Sequence, residues 1–179
     1  MVKNNVKNGH CPYWPISDLF FGYGVKSLLT GLDQSSDEND YFFINLNRHT
    51  LKFFLQDFAE FRSKKIIIIS SPRLMPLATF WLTESNKVCA LFGSCTPVEE
   101  IVRVLNIMPP ETKTSLPALR AKETMSLREV FFLKNYLEKG KLARFPLLPS
   151  MGSSTLKNRK ISVARKLGVR KLEQILLLK

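Results

Sequence analysis

The residues whose types and spacing best suit chemistry lie near the end of the chain, over 150–171. Ser153 and Ser154 are of the type that caps a helix, and the following turns carry hydroxyl, amide and basic side chains. Hydroxyl and basic groups bind phosphates, while Lys and Asn reach guanine and adenine edges in the major groove of DNA. The stretch therefore predicts a helix that presents its N-terminus to DNA. The candidate DNA-contacting residues are Ser154, Thr155, Lys157, Asn158, Arg159, Lys160, Arg165 and Lys166.

The positive charge of the chain is concentrated in the same region. Residues 1–119 hold 12 basic and 11 acidic side chains, whereas residues 120–179 hold 15 basic and 4 acidic ones. A near-neutral body with a basic tail indicates a polyanionic partner for the tail. The alternative is a basic face that is simply solvated.

The motifs that catalysis or cofactor binding would need are missing from the sequence. It has no G-x-G-x-x-G or G-x-x-x-x-G-K phosphate loop and no G-x-S-x-G nucleophile elbow. His10 and His49 lack zinc-ligand spacing, and the adjacent Glu99 and Glu100 suit the start of a helix better than paired acid–base catalysis. We therefore expect no enzymatic activity, no cofactor and no metal.

The compartment follows from the cysteines and the apolar runs. Three cysteines with no C-x-x-C pair fit a reducing environment better than a disulfide framework. The longest apolar runs, 66–69 and 88–92, are far shorter than the ~18–20 residues that span a bilayer. Residues 1–10 are not followed by the apolar segment of a secretory signal. We expect a cytoplasmic protein without a membrane partner.

Strand-like and helix-like patterns alternate up to about residue 108. Short apolar runs predict buried strands, and apolar residues at i, i+3, i+4 and i+7 predict helices between them. This alternation is typical of a parallel α/β sheet, in which the Phe-rich face of 51–61 belongs to the core. The predicted strands cover 41–46, 66–69 and 88–92, with a weak strand pattern over 11–15; the predicted helices cover 19–29, 51–61, 74–82 and a stretch capped by Thr96 with Pro97 in its first position.

The prolines over 108–117 interrupt this alternation and predict a linker over 109–119. Beyond it the pattern is entirely helical. Ser126 and Glu129 have the spacing of a capping box, which predicts a helix up to Lys139. Further helices are predicted over 153–168 and 169–178. The predicted inward residues of the three helices are Val130, Phe131, Leu137, Leu156, Val163, Leu167, Leu172, Ile175 and Leu176.

Residues 125–179 resemble the helix-turn-helix domain of LuxR/FixJ-type transcription factors. Ser126 and Glu129 match the start of its first helix, 155–158 (TLKN) match its recognition helix, and 165–169 (RKLGV) match its closing block. The resemblance implies double-stranded DNA as the partner, with Lys157 and Asn158 facing bases. It implies phosphate contacts from Ser154, Thr155, Arg159 and Lys160, and a dimer contact from 170–178.

The N-terminal part resembles a response-regulator receiver domain without its phosphorylation residues. Asn45 stands where such domains carry the phosphoacceptor Asp, Gly93 stands where they carry a Lys, and no acidic pair precedes Leu19. Residues 17–104 also resemble enterobacterial regulators of fimbrial and common-pilus operons. These resemblances imply a truncated receiver-like parallel sheet, no aspartyl-phosphate switch, and control of fimbrial or biofilm-type genes.

Two hypotheses for function therefore stand together. The first is a DNA-binding transcriptional regulator, homodimeric or heterodimeric, with an α/β domain over 1–108 and an all-α helix-turn-helix domain over 120–179. The second is a protein-interaction module that heterodimerises with another regulator and binds DNA poorly by itself. The second arises because the scaffold helix of the helix-turn-helix pattern falls on 142–149, where Pro146 would remove a hydrogen bond and clash at a cost of ~3 kcal/mol.

Overall fold

Five parallel strands form one sheet in the order β1-β2-β3-β4-β5. The computed structural model describes residues 11–32, 41–61, 65–109, 112–117, 124–139 and 153–176. The predicted parallel α/β architecture is confirmed, and the weak strand pattern over 11–15 forms a two-residue edge strand. The strands are β1 (Tyr13–Trp14), β2 (Tyr41–Leu46), β3 (Lys65–Ser70), β4 (Val88–Gly93) and β5 (Thr114–Leu116).

The central strands are apolar on both sides because helices cover both faces of the sheet. Ile66, Ile67 and Ile68 of β3 are completely buried, and they alternate between two separate apolar cores. Helices α1 and α4 pack on one face, while α2 and α3 pack on the other. The helices are α1 (Leu19–Thr30), α2 (Leu51–Asp57), α3 (Met75–Glu84), α4 (Val98–Ile107), α5 (Leu127–Lys139), α6 (Ser153–Lys166) and α7 (Glu173–Leu176).

Several helix boundaries differ from the sequence prediction. The helix predicted over 51–61 is α-helical to Asp57 and continues as a 3-10 turn over Phe58–Glu60. The predicted cap on α4 is wrong, since Pro97 is the N-cap residue and makes no side-chain cap bond. The backbone N–H of Thr96 instead donates to the carbonyl of Gly93 in the turn after β4 (2.9 Å). The last helix, predicted over 169–178, is shorter in the described residues and begins at Glu173.

The segment predicted as a linker contains the fifth strand. Thr114–Leu116 pairs in parallel with residues 90–92 of β4, and Pro117 follows directly. Three residues are too few to show a strand's alternation, and the flanking prolines hide them in the sequence. The sheet therefore extends into the predicted linker.

The C-terminal helices share an apolar core with the α2 and α3 face of the sheet. Leu133 of α5, Val163 of α6 and Leu172 before α7 are completely buried in the same cluster as residues of β2 and β3. The backbone N–H of Met125 also donates to the carbonyl of Pro76 at the start of α3 (3.1 Å). The sheet and the C-terminal helices are thus packed together through α2 and α3.

The prediction that Phe131 is buried is wrong, since its side chain is 51% exposed. The neighbouring Phe132 is buried and stacks with Tyr136 one turn later. The inward face of α5 is therefore wide, and Val130 and Phe132 define its edges. Phe131 lies outside that face because each helical step turns a side chain by about 100°.

Candidate nucleic-acid interface

The outward face of α6 is built from side chains at i, i+4, i+7 and i+11. Ser154, Asn158, Ile161 and Arg165 occupy these positions, and all four are exposed. Lys157 is exposed on the flank of the same face, since it precedes Ile161 by one turn. This face therefore combines a hydroxyl, an amide and two cations around one apolar side chain.

The opposite face of α6 packs on α5. Val163 and Leu167 are almost completely buried, and Ala164 lies beside them. The helix ends at Lys166, followed by Gly168 in the left-handed conformation (φ +62°) that glycine adopts without strain. The chain then turns back so that Leu172 enters the same core. Apolar packing thus fixes which face of α6 meets solvent.

Glu129 joins α5 to α6 through one buried carboxylate. Its Oε2 accepts hydrogen bonds from the backbone N–H of Ser126 (2.7 Å) and from the Lys166 ammonium (2.7 Å). Its Oε1 accepts from the Ser162 hydroxyl (2.6 Å). The Lys166 ammonium also donates to the carbonyl of Thr124 (2.7 Å). The predicted capping box is therefore confirmed, and the same Glu additionally holds two side chains of α6.

The environment of Glu129 keeps its carboxylate ionised. Burial by itself would raise the pKa of this group, because a low-dielectric environment disfavours charge. Hydrogen bonds from Lys166, from the Ser126 backbone and from Ser162 outweigh burial and lower the pKa to about 2. The ion pair between α5 and α6 is therefore present throughout the neutral pH range.

A second ion pair joins α6 to α7. The Lys160 ammonium donates to the Glu173 carboxylate and lies 5.9 Å from the centre of the Tyr136 ring. The hydrogen bond to Glu173 is the main reason why the pKa of Lys160 is raised. Lys160 therefore contacts both α5 and α7.

The structure divides the predicted DNA-contacting residues into two groups. Arg159 is half-buried, and Lys160 and Lys166 donate to carboxylates of the same chain. The scaffold segment 142–149, with Pro146, lies outside the described residues. The predicted contact residues that are exposed on α6 are Ser154, Thr155, Lys157, Asn158 and Arg165.

The sequence does not predict the full roles of two residues in this region. Glu129 was recognised as a capping residue, but its bonds to Ser162 and Lys166 depend on how α5 and α6 pack. Ile161 is 56% exposed and lies one turn from Lys157 on the outward face. Helical spacing from Lys157 and Asn158 would have placed Ile161 on that face.

A second polar region lies where the strands of the sheet end. The Asn45 side-chain amide donates to Asp18 Oδ2 (2.8 Å), and Asp18 Oδ1 caps α1 by accepting from the backbone N–H of Phe21 (3.0 Å). Ser70 at the end of β3 is completely buried. A side chain at Gly93 would meet Pro117 at van der Waals distance (3.5 Å). Asp18 and Asn45 therefore bind each other at this edge, and the Ser70 hydroxyl donates to the carbonyl of Ser71.

A cleft of about 510 Å³ lies beside this edge, next to the ends of β4 and β5. Met75, Pro97 and Pro117 contribute apolar walls, and Glu100 is the carboxylate among its lining residues. Asp18 and Asn45 are not part of the lining. The cleft thus offers an apolar surface without the acidic pair that would hold a magnesium ion.

The fold defines a class of protein with a parallel α/β sheet and a basic C-terminal helix that packs on α5. Residues 2–106 match the family model of the EcpR N-terminal domain, and the chain belongs to that family. It is also similar to the Vi polysaccharide biosynthesis protein TviA of Salmonella typhi, with 31% identity over 167 residues. That match covers 92% of this chain and 93% of the relative. No solved structure matches the chain. Among the described residues, no helix has the length and apolar character needed to cross a bilayer.

Proposed function

We propose that the protein is a transcriptional regulator that binds double-stranded DNA through the outward face of α6. The observation that carries the proposal is the exposed set Lys157, Asn158 and Arg165 on a helix that is held against α5 on its other side. Membership in the family of the EcpR N-terminal domain supports a regulator of fimbrial or biofilm-type genes. We place this regulator in the cytoplasm, where its DNA lies and where the free cysteines Cys11, Cys89 and Cys95 stay reduced.

The chemistry of the outward face fits a major groove. Lys157 and Asn158 near the start of α6 reach base edges, as early residues do on a helix that enters the groove by its N-terminus. The apolar Ile161 fits the C5-methyl group of thymine. Ser154, Thr155 and Arg165 lie around them and bind phosphates, which positions the helix without reading sequence.

Lys160 and Lys166 have a different role in this proposal, because both form ion pairs within the chain. Each ammonium already donates to a carboxylate of the same chain, so a phosphate would compete with Glu173 or Glu129. These two lysines therefore position α6 against α5 and α7. The positive potential of the surface still includes them, because residues 153–176 hold seven basic side chains and one acid.

The regulator works without an aspartyl-phosphate switch. Asn45 carries an amide where phosphorylation needs a carboxylate nucleophile, and that amide is bound to Asp18. Asp18 is a single acid: its Oδ1 caps α1, and its Oδ2 accepts from the Asn45 amide.

The proposal is tested by measuring the affinity of the purified full chain for the DNA upstream of its own gene and for a scrambled sequence of equal length. Specific regulators bind their sites typically ~10³-fold or more tightly than other DNA at physiological salt. A clear preference for the upstream DNA supports the proposal. Equal affinity for both, rising only when a second regulator is added, contradicts it and favours the heterodimerising interaction module.

A further inference from the structure

Helix α1 is apolar on two opposite faces, and only one of them is covered. Val25 and Leu28 are buried against the sheet. On the other side, Leu19 is 64% exposed, Phe20 92% and Tyr23 69%, and Ile16 in the preceding turn is 42% exposed. These four residues, at spacings i, i+3, i+4 and i+7, form what we call the outer stripe of α1.

A surface of this kind indicates an interaction site. Helices that are apolar all round are normally buried, and a surface helix normally turns polar residues to water. Single exposed apolar residues are common, but a contiguous patch rimmed by polar groups is typical of protein contacts. Lys26 lies at the end of the stripe, with its ammonium 5.8 Å from the Tyr23 ring centre.

The outer stripe is complementary to itself. Gly24 is exposed, and a Cβ added there would meet no atom within 4 Å. One turn after the protruding Phe20 the helix surface therefore carries no side chain, and we call this open space the hollow. When two copies of α1 pair antiparallel about a two-fold axis near residue 22, Phe20 of each copy faces Gly24 of the other. A two-fold contact requires this reciprocity, in which residue i meets j and j meets i.

The size of the outer stripe also fits a second copy. Two exposed aromatic side chains bury about 300–500 Å² when covered. A standard interface buries roughly 800 Å² on each partner. Leu19 and Ile16 add to the aromatic area, so the stripe supplies much of what a stable pair needs.

We propose that the protein forms a homodimer through the outer stripes of two antiparallel α1 helices. This contact differs from the one that the helix-turn-helix resemblance places at 170–178; of that range, Leu172 is completely buried in the core and Ile175 packs against it. The proposal is independent of DNA binding, since α1 packs on one face of the sheet, whereas α6 packs on α5 and belongs to the apolar cluster on the other side.

Sedimentation velocity of the full chain over a concentration series tests the proposal. We expect the wild type to pass from monomer to dimer as concentration rises. Phe20→Glu places charge in the contact, and Gly24→Leu fills the hollow, so each weakens the dimer roughly tenfold or more. Both positions are exposed in the monomer, so neither substitution should lower the melting temperature at low concentration, and Gly24→Leu should raise it slightly through its higher helix propensity.

The matched control is Phe53→Glu, which changes a 56% exposed Phe on α2, on the other face of the sheet, and leaves dimerisation unchanged. A wild type that stays monomeric at every concentration overturns the proposal and leaves the stripe to a different protein. Equal weakening by Phe20→Glu and Phe53→Glu overturns the assignment to α1. Weakening by Phe20→Glu but not by Gly24→Leu overturns the antiparallel arrangement.

Discussion

The carboxyl edge of the sheet and the junction of α5 with α6 are each held by one carboxylate, but the partners of the two carboxylates differ. At each place one carboxylate accepts from a backbone N–H at the start of a helix and from a side chain of another element. Asp18 accepts a hydrogen bond from the neutral amide of Asn45, whereas Glu129 accepts from the Lys166 ammonium and the Ser162 hydroxyl. The first joins α1 to β2, and the second joins two helices, one of which is cationic.

The difference supports α6 as the place of the proposed binding chemistry. At the edge of the sheet, Asp18 and Asn45 are partners of each other. On α6, Lys160 and Lys166 are held by carboxylates, but Lys157 and Arg165 remain exposed beside them. In the proposed function, the fixed cations position the helix and the exposed ones meet the polyanion.

The largest loss of stability is expected in the apolar core that the sheet shares with α5 and α6. Phe54 is completely buried and lies against Phe58 and Trp81, edge to face. Phe54→Ala should lower the free energy of unfolding by roughly 3–5 kcal/mol, because it leaves a cavity between the sheet and α5. Phe53→Ala, next to it and 56% exposed, is the control and should change the free energy by about 0.5 kcal/mol or less. Urea unfolding measures both, and similar losses for the two variants would contradict the predicted core role of Phe54.

Removing the charge of Glu129 tests the junction of α5 and α6. Glu129→Gln leaves the Lys166 ammonium without its carboxylate in a mostly buried site, so we expect a loss of roughly 3 kcal/mol. Because the folded-state pKa of Glu129 is lowered to about 2, its contribution is complete above the unfolded pKa of about 4.3. That contribution is lost as the pH falls towards 2. The difference in stability between wild type and variant should therefore be largest at neutral pH and smaller at pH ~3.

Urea unfolding at the two pH values checks this, with Glu138→Gln as the control because Glu138 is exposed on the same helix. A difference between wild type and Glu129→Gln that stays constant with pH would show that the ion pair contributes no pH-dependent stability.

A smaller loss of stability is expected at Asp18, whose carboxylate at the edge of the sheet corresponds to that of Glu129 at the start of α5. Asp18→Ala removes the cap of α1 and the acceptor of Asn45, at a cost of roughly 0.5–2 kcal/mol. Ser17→Ala, at the exposed preceding residue, should have almost no effect. If Asp18→Ala destabilises as strongly as Glu129→Gln, the contrast between the two regions is lost.

No gain of function is expected from restoring a carboxylate at the edge of the sheet. Asn45→Asp places two acids beside each other, but Asp18 already caps α1 and the position of Gly93 has no lysine. Neither the wild type nor Asn45→Asp should incorporate phosphate from acetyl phosphate or gain DNA affinity on its addition. Phosphate on either protein would contradict the proposal that the switch is absent.

The sequence predicts the larger elements well because their patterns are long. The four consecutive isoleucines of β3 and the helical Phe spacing of α2 are each compatible with few other structures. The Ser126–Glu129 pair also forms the predicted cap. The strand β5 escapes prediction because its three residues lie between prolines. The burial of Phe132 in place of Phe131 depends on which side of α5 packs against α2 and α6, and helical spacing alone does not determine this.

The sequence predicts which types of residue the candidate interface contains, but not which of them are exposed and which form ion pairs within the chain. The sequence places basic side chains on one helix, and exposure then separates Lys157 from Lys160 although both are lysines on α6. That separation requires Glu173, 13 residues further on, and the turn at Gly168 that brings it back. Long-range pairing of this kind leaves no periodic pattern in the sequence.

The central claim, that the exposed residues of α6 read DNA, is tested most directly by Lys157→Ala and Arg165→Ala on upstream and scrambled DNA across a range of salt. Lys157→Ala should cost about 1–3 kcal/mol on the upstream DNA and clearly less on the scrambled one. Arg165→Ala should weaken both to the same extent and lower the salt slope by ~1, as the loss of a phosphate contact does. Parallel losses on both DNAs for the two variants would contradict the claim and leave α6 as an electrostatic anchor.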